Sequence, residues 1–149
     1  MAAFTHIGTA SRFSDGGYGV YYAAKDLETA ITESTFSRAR FLSYTSEDAG
    51  EVDMRVYVGE VVKPLHDIRG DGYDEFHLVD EWSPAQAFGQ EMRLNDSWGI
   101  AFRSVRHLGG ECIAVLRPPA VTIPRQGEHL SYVWDGTQIT NVYKKTLIR

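Results

Sequence analysis

Apolar residues recur at helical spacing directly after Asp26, a residue suited to cap a helix. This spacing predicts a first helix over residues 27–42. Glu33 lies about 60° from Ala30 around the helix, at about 100° per residue, so it falls at the edge of the buried face. The positions predicted to form that face are Leu27, Ala30, Ile31 and Ser34.

The segment SPAQAFGQEMRLN predicts a second helix. Ser83 and Gln86 have the spacing of a capping box, and Pro84 is placed at the first helical position. The apolar side of this helix is predicted to consist of Ala85, Phe88 and Met92.

The other apolar segments are typical of strands. GVYYAA, residues 19–24, is a short run bounded by glycines, which indicates a buried strand. Residues 54–62 show the period-two alternation of a strand that has one face in the core. The residues predicted to share that face are Met54, Val56, Val58 and Val62. Further strands are predicted at WGIAFRSVR, ECIAVLRP, HLSYVW and TQITNVYKK. Asp135-Gly136 joins the last two and predicts a type I′ hairpin, in which both central residues have positive φ. Two helices against several largely antiparallel strands indicate the α+β class.

The composition is that of one compact domain, and its charge limits the class of partner. The 149 residues are 43% hydrophobic and 23% charged, which suffices for a sizeable core, so we expect residues 1–149 to form a single domain. A net charge of -5 argues against binding of nucleic acid through bulk electrostatics. We find no secretory signal, no membrane-spanning apolar run and only one cysteine, so we expect a cytoplasmic protein.

Residue spacing argues against several kinds of site. The five histidines show no HxH, HxxxH or HExxH pattern, so no metal site is expected. Ser104 is not part of a GxSxG motif, which argues against a hydrolase nucleophile elbow. The sequence also lacks a phosphate-binding loop and a dinucleotide-binding glycine fingerprint.

Arginine and tyrosine side chains near the N-terminus are the first candidates for a binding site. Arg12 precedes Gly16-Gly17 and offers a planar fork of donors suited to phosphate oxygens, whereas the simpler interpretation is a solvated side chain beside a turn. Tyr21 and Tyr22 point to opposite faces of their strand. One of them should therefore pack in the core while the other lines a cavity.

Two further polar residues, Glu33 and Ser104, are candidates for the same binding site. Glu33 loses hydration at a buried helix edge, so it either forms a salt bridge with Arg38 or Lys25 or faces a cleft where positive charge develops. Ser104 stands at a strand end in FRSVRHLGGEC, followed by a glycine turn, and is interpreted as a serine that faces a ligand.

The segments SRFSDGGYGVYYAAKDLETAITE, GIAFRSVRHLGGECIAVLRP and YVWDGTQI resemble the RES domain, the toxin of bacterial RES-Xre toxin–antitoxin pairs. Tyr22 precedes Glu33 by eleven residues, as is typical of that family. The resemblance covers nearly the whole chain. It implies a fold similar to the ADP-ribosyltransferases of the diphtheria-toxin type, with twisted, largely antiparallel sheets, a few flanking helices and an NAD site in a cleft between two small sheets.

The resemblance also implies an activity, cleavage of the nicotinamide–ribose bond of NAD without a metal. The acceptor is water or phosphate in some members, which makes them NAD glycohydrolases or phosphorylases, and a protein in others, which makes them ADP-ribosyltransferases. Carried onto this sequence, Glu33, Arg12 and Ser104 are the expected catalytic residues, and Tyr22 joins these three in binding NAD.

The resemblance implies an Xre-type antitoxin as the protein partner. The complex could form around a homodimer of the toxin. This acidic chain is not expected to contact DNA. Family members have a further arginine on a first strand upstream of SRF, and residues 1–11 contain none. Either that strand is lacking or its contact is supplied differently. The departure keeps a second interpretation open, a non-catalytic module that binds a nucleotide or a partner.

Overall fold

The computed structural model describes residues 9–149, whose contacts divide into two compact units. The first unit consists of the described residues up to Ala30 together with Val61–Thr122, and the second consists of Ile31–Glu60 and Ile123–Arg149. Helices and two mostly antiparallel sheets confirm the predicted α+β class. In the described part of the chain, no helix combines the length and apolar character needed to cross a lipid bilayer.

The first unit contains a four-stranded sheet and a helix. In sheet order the strands are β1 (Tyr21–Ala24), β5 (Glu111–Val115), β4 (Gly99–Arg103) and β3 (His66–Asp67). Neighbours are antiparallel except that β3 runs parallel to β4. Helix α2 (Ser83–Leu94) buries Ala85 and Met92 in the same core as Phe13, Ile100 and Phe102, which confirms its predicted apolar side.

The second unit contains a three-stranded antiparallel sheet, in the order β2 (Gly50–Val58), β6 (Arg125–Trp134) and β7 (Ile139–Lys145). Leu130, Tyr132 and Trp134 alternate along β6 and are buried on one face of the sheet. Helix α1 (Leu27–Ser43) begins in the first unit and continues in the second, where the Ser34 hydroxyl lies 2.6 Å from the Tyr132 hydroxyl.

The first helix confirms its predicted bounds and cap but not its buried face. Asp26 Oδ1 accepts the Thr29 backbone N–H at 3.0 Å, as expected of a helix cap. Thr29 is fully buried, whereas Leu27 is 36% exposed. The apolar spacing therefore selected the wrong residue in the first turn, because a hydrogen-bonded threonine occupies the packed position.

Two strands differ in extent from their predictions. The strand predicted over residues 54–62 covers Gly50–Val58 instead, since Val58 pairs with Arg125 at the start of β6 and the partner strand ends there. Val62 is exposed, and its N–H donates to the Ala120 carbonyl at 2.8 Å outside the sheet. The strand predicted at 19–24 is limited to Tyr21–Ala24 and is half-buried.

The predicted capping box at the start of α2 is wrong. Trp82 precedes the helix with no side-chain cap, Ser83 is already helical, and Pro84 therefore stands second. Gln86 uses its amide elsewhere, donating to the carbonyls of Ser11 and Ser14 at 2.9 and 3.1 Å. These two acceptors lie more than 70 residues away in the sequence, so the local spacing of residues does not predict them.

The hairpin between β6 and β7 is confirmed, but its predicted turn type is wrong. Gly136 has a positive φ of 105° and Asp135 does not, so the turn is not type I′. The Asp135 carboxylate instead accepts the backbone N–H groups of Thr137 and Gln138 at 2.8 Å each. Asp135 therefore closes this turn with its side chain rather than through left-handed backbone.

Candidate functional site

Arg12 lies in a tight turn and holds a distant loop. The Ser11 N–H donates to the Ser14 carbonyl at 2.8 Å, which closes the turn. The half-buried Arg12 guanidinium donates from one nitrogen to the carbonyls of Phe76 and Leu78, at 3.2 and 2.9 Å. Arg12 is therefore more than a solvated side chain, because it anchors the loop around residues 76–78.

Tyr22 supports the Arg12 turn from strand β1. Its hydroxyl oxygen accepts the Phe13 backbone N–H at 3.0 Å and lies 2.8 Å from the Ser11 hydroxyl. Burial raises the pKa of this phenol. The ring packs edge-on against Phe102 with centroids 6.3 Å apart, so Tyr22 belongs to the core-packing face of β1.

Ser104 follows β4 directly and is fixed within the turn to β5. Its hydroxyl oxygen accepts the His107 backbone N–H at 3.0 Å, and its own N–H donates to the Gly110 carbonyl at 2.9 Å. Only 8% of the residue is exposed. Phe102, two residues earlier, contacts the rings of both Phe13 and Tyr22. The first unit thus brings the Arg12 turn, Tyr22 and the end of β4 together.

Glu33 belongs to the second unit and is half-buried on helix α1. Of its two predicted basic partners, Lys25 pairs with Glu111 at 3.1 Å, and Arg38 lies 5.7 Å from the Phe41 ring centroid. The role of Glu33 stays a prediction.

Two arginines that the sequence interpretation left without a role also hold the Arg12-anchored loop. Arg103 binds the Asp74 carboxylate at 2.8 Å, and Arg106 donates to the Val79 carbonyl at 3.4 Å. Together with Arg12, three guanidinium groups therefore contact residues 74–79. The acidic run DEFHLVDE and the basic FRSVR were visible in the sequence, but they lie more than 20 residues apart.

His77 holds this loop to β4 in its neutral form. Its Nε2 accepts the Arg103 backbone N–H at 3.1 Å, and its Nδ1 lies 2.8 Å from the Tyr73 carbonyl. Nδ1 must therefore carry the proton, because a carbonyl oxygen is only an acceptor. Burial lowers the pKa of His77, and the nearby Arg103 and Arg12 lower it further. A second proton, on Nε2, would place a ring N–H against the Arg103 backbone N–H, and two donors cannot bond to each other.

We expect this histidine to make folding stability depend on pH. Because the folded state lowers its pKa below the ordinary 6.5, the folded chain binds fewer protons than the unfolded chain. The stabilisation that neutral His77 gives the folded state is complete at pH values above its ordinary pKa of 6.5. The stabilisation declines as the pH falls below 6.5, and it is lost once the pH is below the folded-state pKa. His77→Gln, whose amide oxygen accepts the same N–H without titrating, should show a weaker dependence in urea unfolding from about pH 8 to about pH 5. Equal pH dependence in both proteins would contradict this assignment.

In residues 9–149, no three His, Cys, Asp or Glu side chains are grouped as metal ligands would be.

Comparison with known proteins gives three findings. A family model described as RES domain matches residues 1–135. The uncharacterized protein y4oC of Sinorhizobium fredii is 30% identical over 132 residues, which cover 89% of this chain and 55% of that protein. The chain therefore spans about half the length of this curated relative. A chain in the crystal structure of the M. tuberculosis MbcT–MbcA toxin–antitoxin complex is similar with a TM-score of 0.58 at 13% identity, covering 91% of this chain and 78% of that chain. The fold is shared with that structure.

Proposed function

This chain belongs to the RES-domain family, and on that premise we propose that it is the toxin of a bacterial toxin–antitoxin pair that cleaves the nicotinamide–ribose bond of NAD. The observation that carries the proposal is the family match over residues 1–135, the range that contains Arg12, Tyr22, Glu33 and Ser104, the residues assigned from the resemblance. The fold shared with a chain of a toxin–antitoxin complex supports it.

The proposed reaction is a glycosyl transfer. The bond between the ribose anomeric carbon and the nicotinamide nitrogen breaks, and its electron pair returns to the ring, which leaves as neutral nicotinamide. The ribose passes through an oxocarbenium-like state that a carboxylate stabilises. We assign this task to Glu33. An acceptor oxygen then bonds to the anomeric carbon. A water or hydroxyl acceptor loses its proton to solvent, whereas the attacking oxyanion of phosphate has none to lose.

Arg12 is proposed to bind the pyrophosphate of NAD. Its guanidinium donates to two neutral carbonyls of the loop, and a phosphate would add opposite charge and a geometry that suits the planar fork of donors. Tyr22 is proposed to shape the nicotinamide pocket and Ser104 to orient the ribose or the nicotinamide.

The test is to incubate the purified protein with NAD and to measure nicotinamide by chromatography. We expect nicotinamide to appear in proportion to the NAD lost. If NAD survives intact while the protein stays folded, the proposed activity is wrong.

The acceptor is identified by three arms of the same assay. Added phosphate should change the product from ADP-ribose to its 1-phosphate if phosphate is the acceptor. Label from NAD should appear in a cell protein if the acceptor is a polypeptide. If phosphate does not change the product and no cell protein acquires the label, the acceptor is water.

The second candidate function is a non-catalytic module that binds a nucleotide or a partner. The observation that favours it is the engagement of Arg12 by the Phe76 and Leu78 carbonyls, which gives this arginine a structural task. Such a module would be stabilised against heat by NAD without consuming it. Nicotinamide release excludes it.

We propose an Xre-type antitoxin as the protein partner, since an enzyme that drains NAD in the cytoplasm needs restraint. The complex is proposed to form around one toxin or a toxin homodimer.

A further inference from the structure

The start of helix α1 carries more than an ordinary cap. The Asp26 carboxylate accepts the Thr29 backbone N–H at 3.0 Å, and this bond lowers the pKa of Asp26. Thr29 is fully buried. Its hydroxyl can either donate a hydrogen bond to another group or accept one from it.

That other group is the imidazole of His107. Its Nδ1 lies 2.7 Å from the Thr29 hydroxyl oxygen. This distance is that of a hydrogen bond, in which the tautomer of the ring decides which group is the donor. Thr29 therefore joins Asp26, through its backbone N–H, to His107, through its hydroxyl. The opposite nitrogen, Nε2, lies 3.9 Å from the Glu28 carboxylate, so Glu28 and Asp26 are the acidic groups facing this pair.

The turn that carries His107 also carries Ser104. The His107 backbone N–H donates to the Ser104 hydroxyl oxygen at 3.0 Å, and the Gly110 N–H returns to the His107 carbonyl at 2.9 Å. Gly110 is pressed against Thr29, since a Cβ added there would lie 2.6 Å from the threonine hydroxyl oxygen. Thr29 therefore contacts this turn at both His107 and Gly110.

We infer that Thr29 and His107 are positioning residues, which orient the Ser104 hydroxyl for the reaction proposed above. This inference rests on the proposed function. His107 sets the rotation of the Ser104 hydroxyl through its backbone N–H, and Thr29 holds the His107 ring.

Thr29→Val, which removes the hydroxyl at nearly constant volume, tests the inference. We expect kcat for nicotinamide release to fall by about 10- to 100-fold, as small misplacement of a reacting group does. KM should change by less than about threefold, because binding contacts are kept. Thr29→Ser keeps the hydroxyl and should restore kcat to within about threefold of the parent.

The matched control is Thr35→Val on the same helix. The Thr35 hydroxyl is buried and makes no hydrogen bond among the described residues, so this variant makes the same chemical change without breaking a bond. Its kcat should equal that of the parent. An active parent whose Thr29→Val variant keeps full kcat overturns the inference, and so does a Thr35→Val variant that loses as much activity.

Imidazole ¹⁵N NMR separates the Thr29–His107 hydrogen bond from the reaction. At a pH well above neutral, the Nδ1 resonance of His107 should differ between the parent and Thr29→Val, because the variant removes the hydroxyl that lies 2.7 Å from Nδ1. Identical imidazole ¹⁵N shifts in the two proteins overturn this hydrogen bond even where NAD is cleaved. A parent that cleaves no NAD overturns the proposed function and the role in turnover together, while the NMR result still reports on the hydrogen bond by itself.

A second pair of variants serves if Thr29→Val does not fold. His107→Asn keeps a nitrogen donor toward Thr29, and His107→Ala removes it. We expect His107→Asn to exceed His107→Ala in kcat by at least about tenfold. Equal rates overturn the inference.

Discussion

Replacing Glu33 with glutamine is expected to lower the rate of nicotinamide release by roughly two hundredfold while leaving the fold intact. The estimate follows from Coulomb's law. A carboxylate about 5 Å from the anomeric carbon, at an effective dielectric near 20, stabilises a full positive charge by about 3 kcal/mol. This free energy corresponds to roughly two hundredfold in rate. Glutamine keeps the size and hydrogen-bonding oxygen of glutamate but not its charge, so the loss measures the charge.

Glu47→Gln provides the matched control, because it removes the same charge from an exposed side chain. Its rate should equal that of the parent when nicotinamide is measured by chromatography. KM for NAD should change far less than kcat in Glu33→Gln, since the positive charge moves onto the ribose only in the transition state. A folded Glu33→Gln protein that cleaves NAD at the parental rate removes Glu33 from the mechanism.

Gly89→Ala is expected to destabilise the protein by about 2 kcal/mol, although alanine is the better helix former. Gly89 is buried within α2, where a Cβ would lie 2.2 Å from the Phe13 carbonyl oxygen and 2.9 Å from the Phe13 Cβ. Helix propensity favours alanine by about 1 kcal/mol. Overpacking against backbone costs about 3 kcal/mol, so the clash prevails.

The Phe13 backbone has little room to yield to this clash. Its carbonyl accepts the Tyr18 hydroxyl at 2.5 Å, and its N–H donates to the Tyr22 hydroxyl. The melting temperature should fall by roughly 6 °C. Because Arg12 precedes Phe13, the shift should also displace the Arg12 turn and lower nicotinamide release.

Gly70→Ala is the control for this prediction, since a Cβ there meets nothing within 4 Å. Its stability should stay within about 0.5 kcal/mol of the parent. A Gly89→Ala protein that melts at or above the parental temperature would show that the close approach of α2 to the Arg12 turn is not required.

The candidate site was only partly accessible from the sequence. The resemblance located Arg12, Tyr22, Glu33 and Ser104, and the structure joins the first two through the turn closed by Ser11. It did not reveal what Arg12 contacts, because the Phe76 and Leu78 carbonyls lie 64 and 66 residues further along the chain. Backbone carbonyls are present at every residue, so no sequence pattern marks them as partners.

The sequence by itself determined the elements that depend on local periodicity. Helix α1 was predicted to within one residue, and α2 and β5 were found where apolar spacing placed them. These elements arise from hydrogen bonds within a helix turn or from alternation along one strand, so neighbouring residues suffice to predict them.

Only the tertiary structure decided which side chains these elements bury and which partners they bind. Thr29 replaces Leu27 in the packed position because His107 satisfies its hydroxyl, and His107 lies 78 residues away. Strand β2 ends at Val58 because β6 begins opposite it. Burial of a polar group depends on whether a distant partner satisfies it, and that information resides in the folded chain rather than in the local pattern.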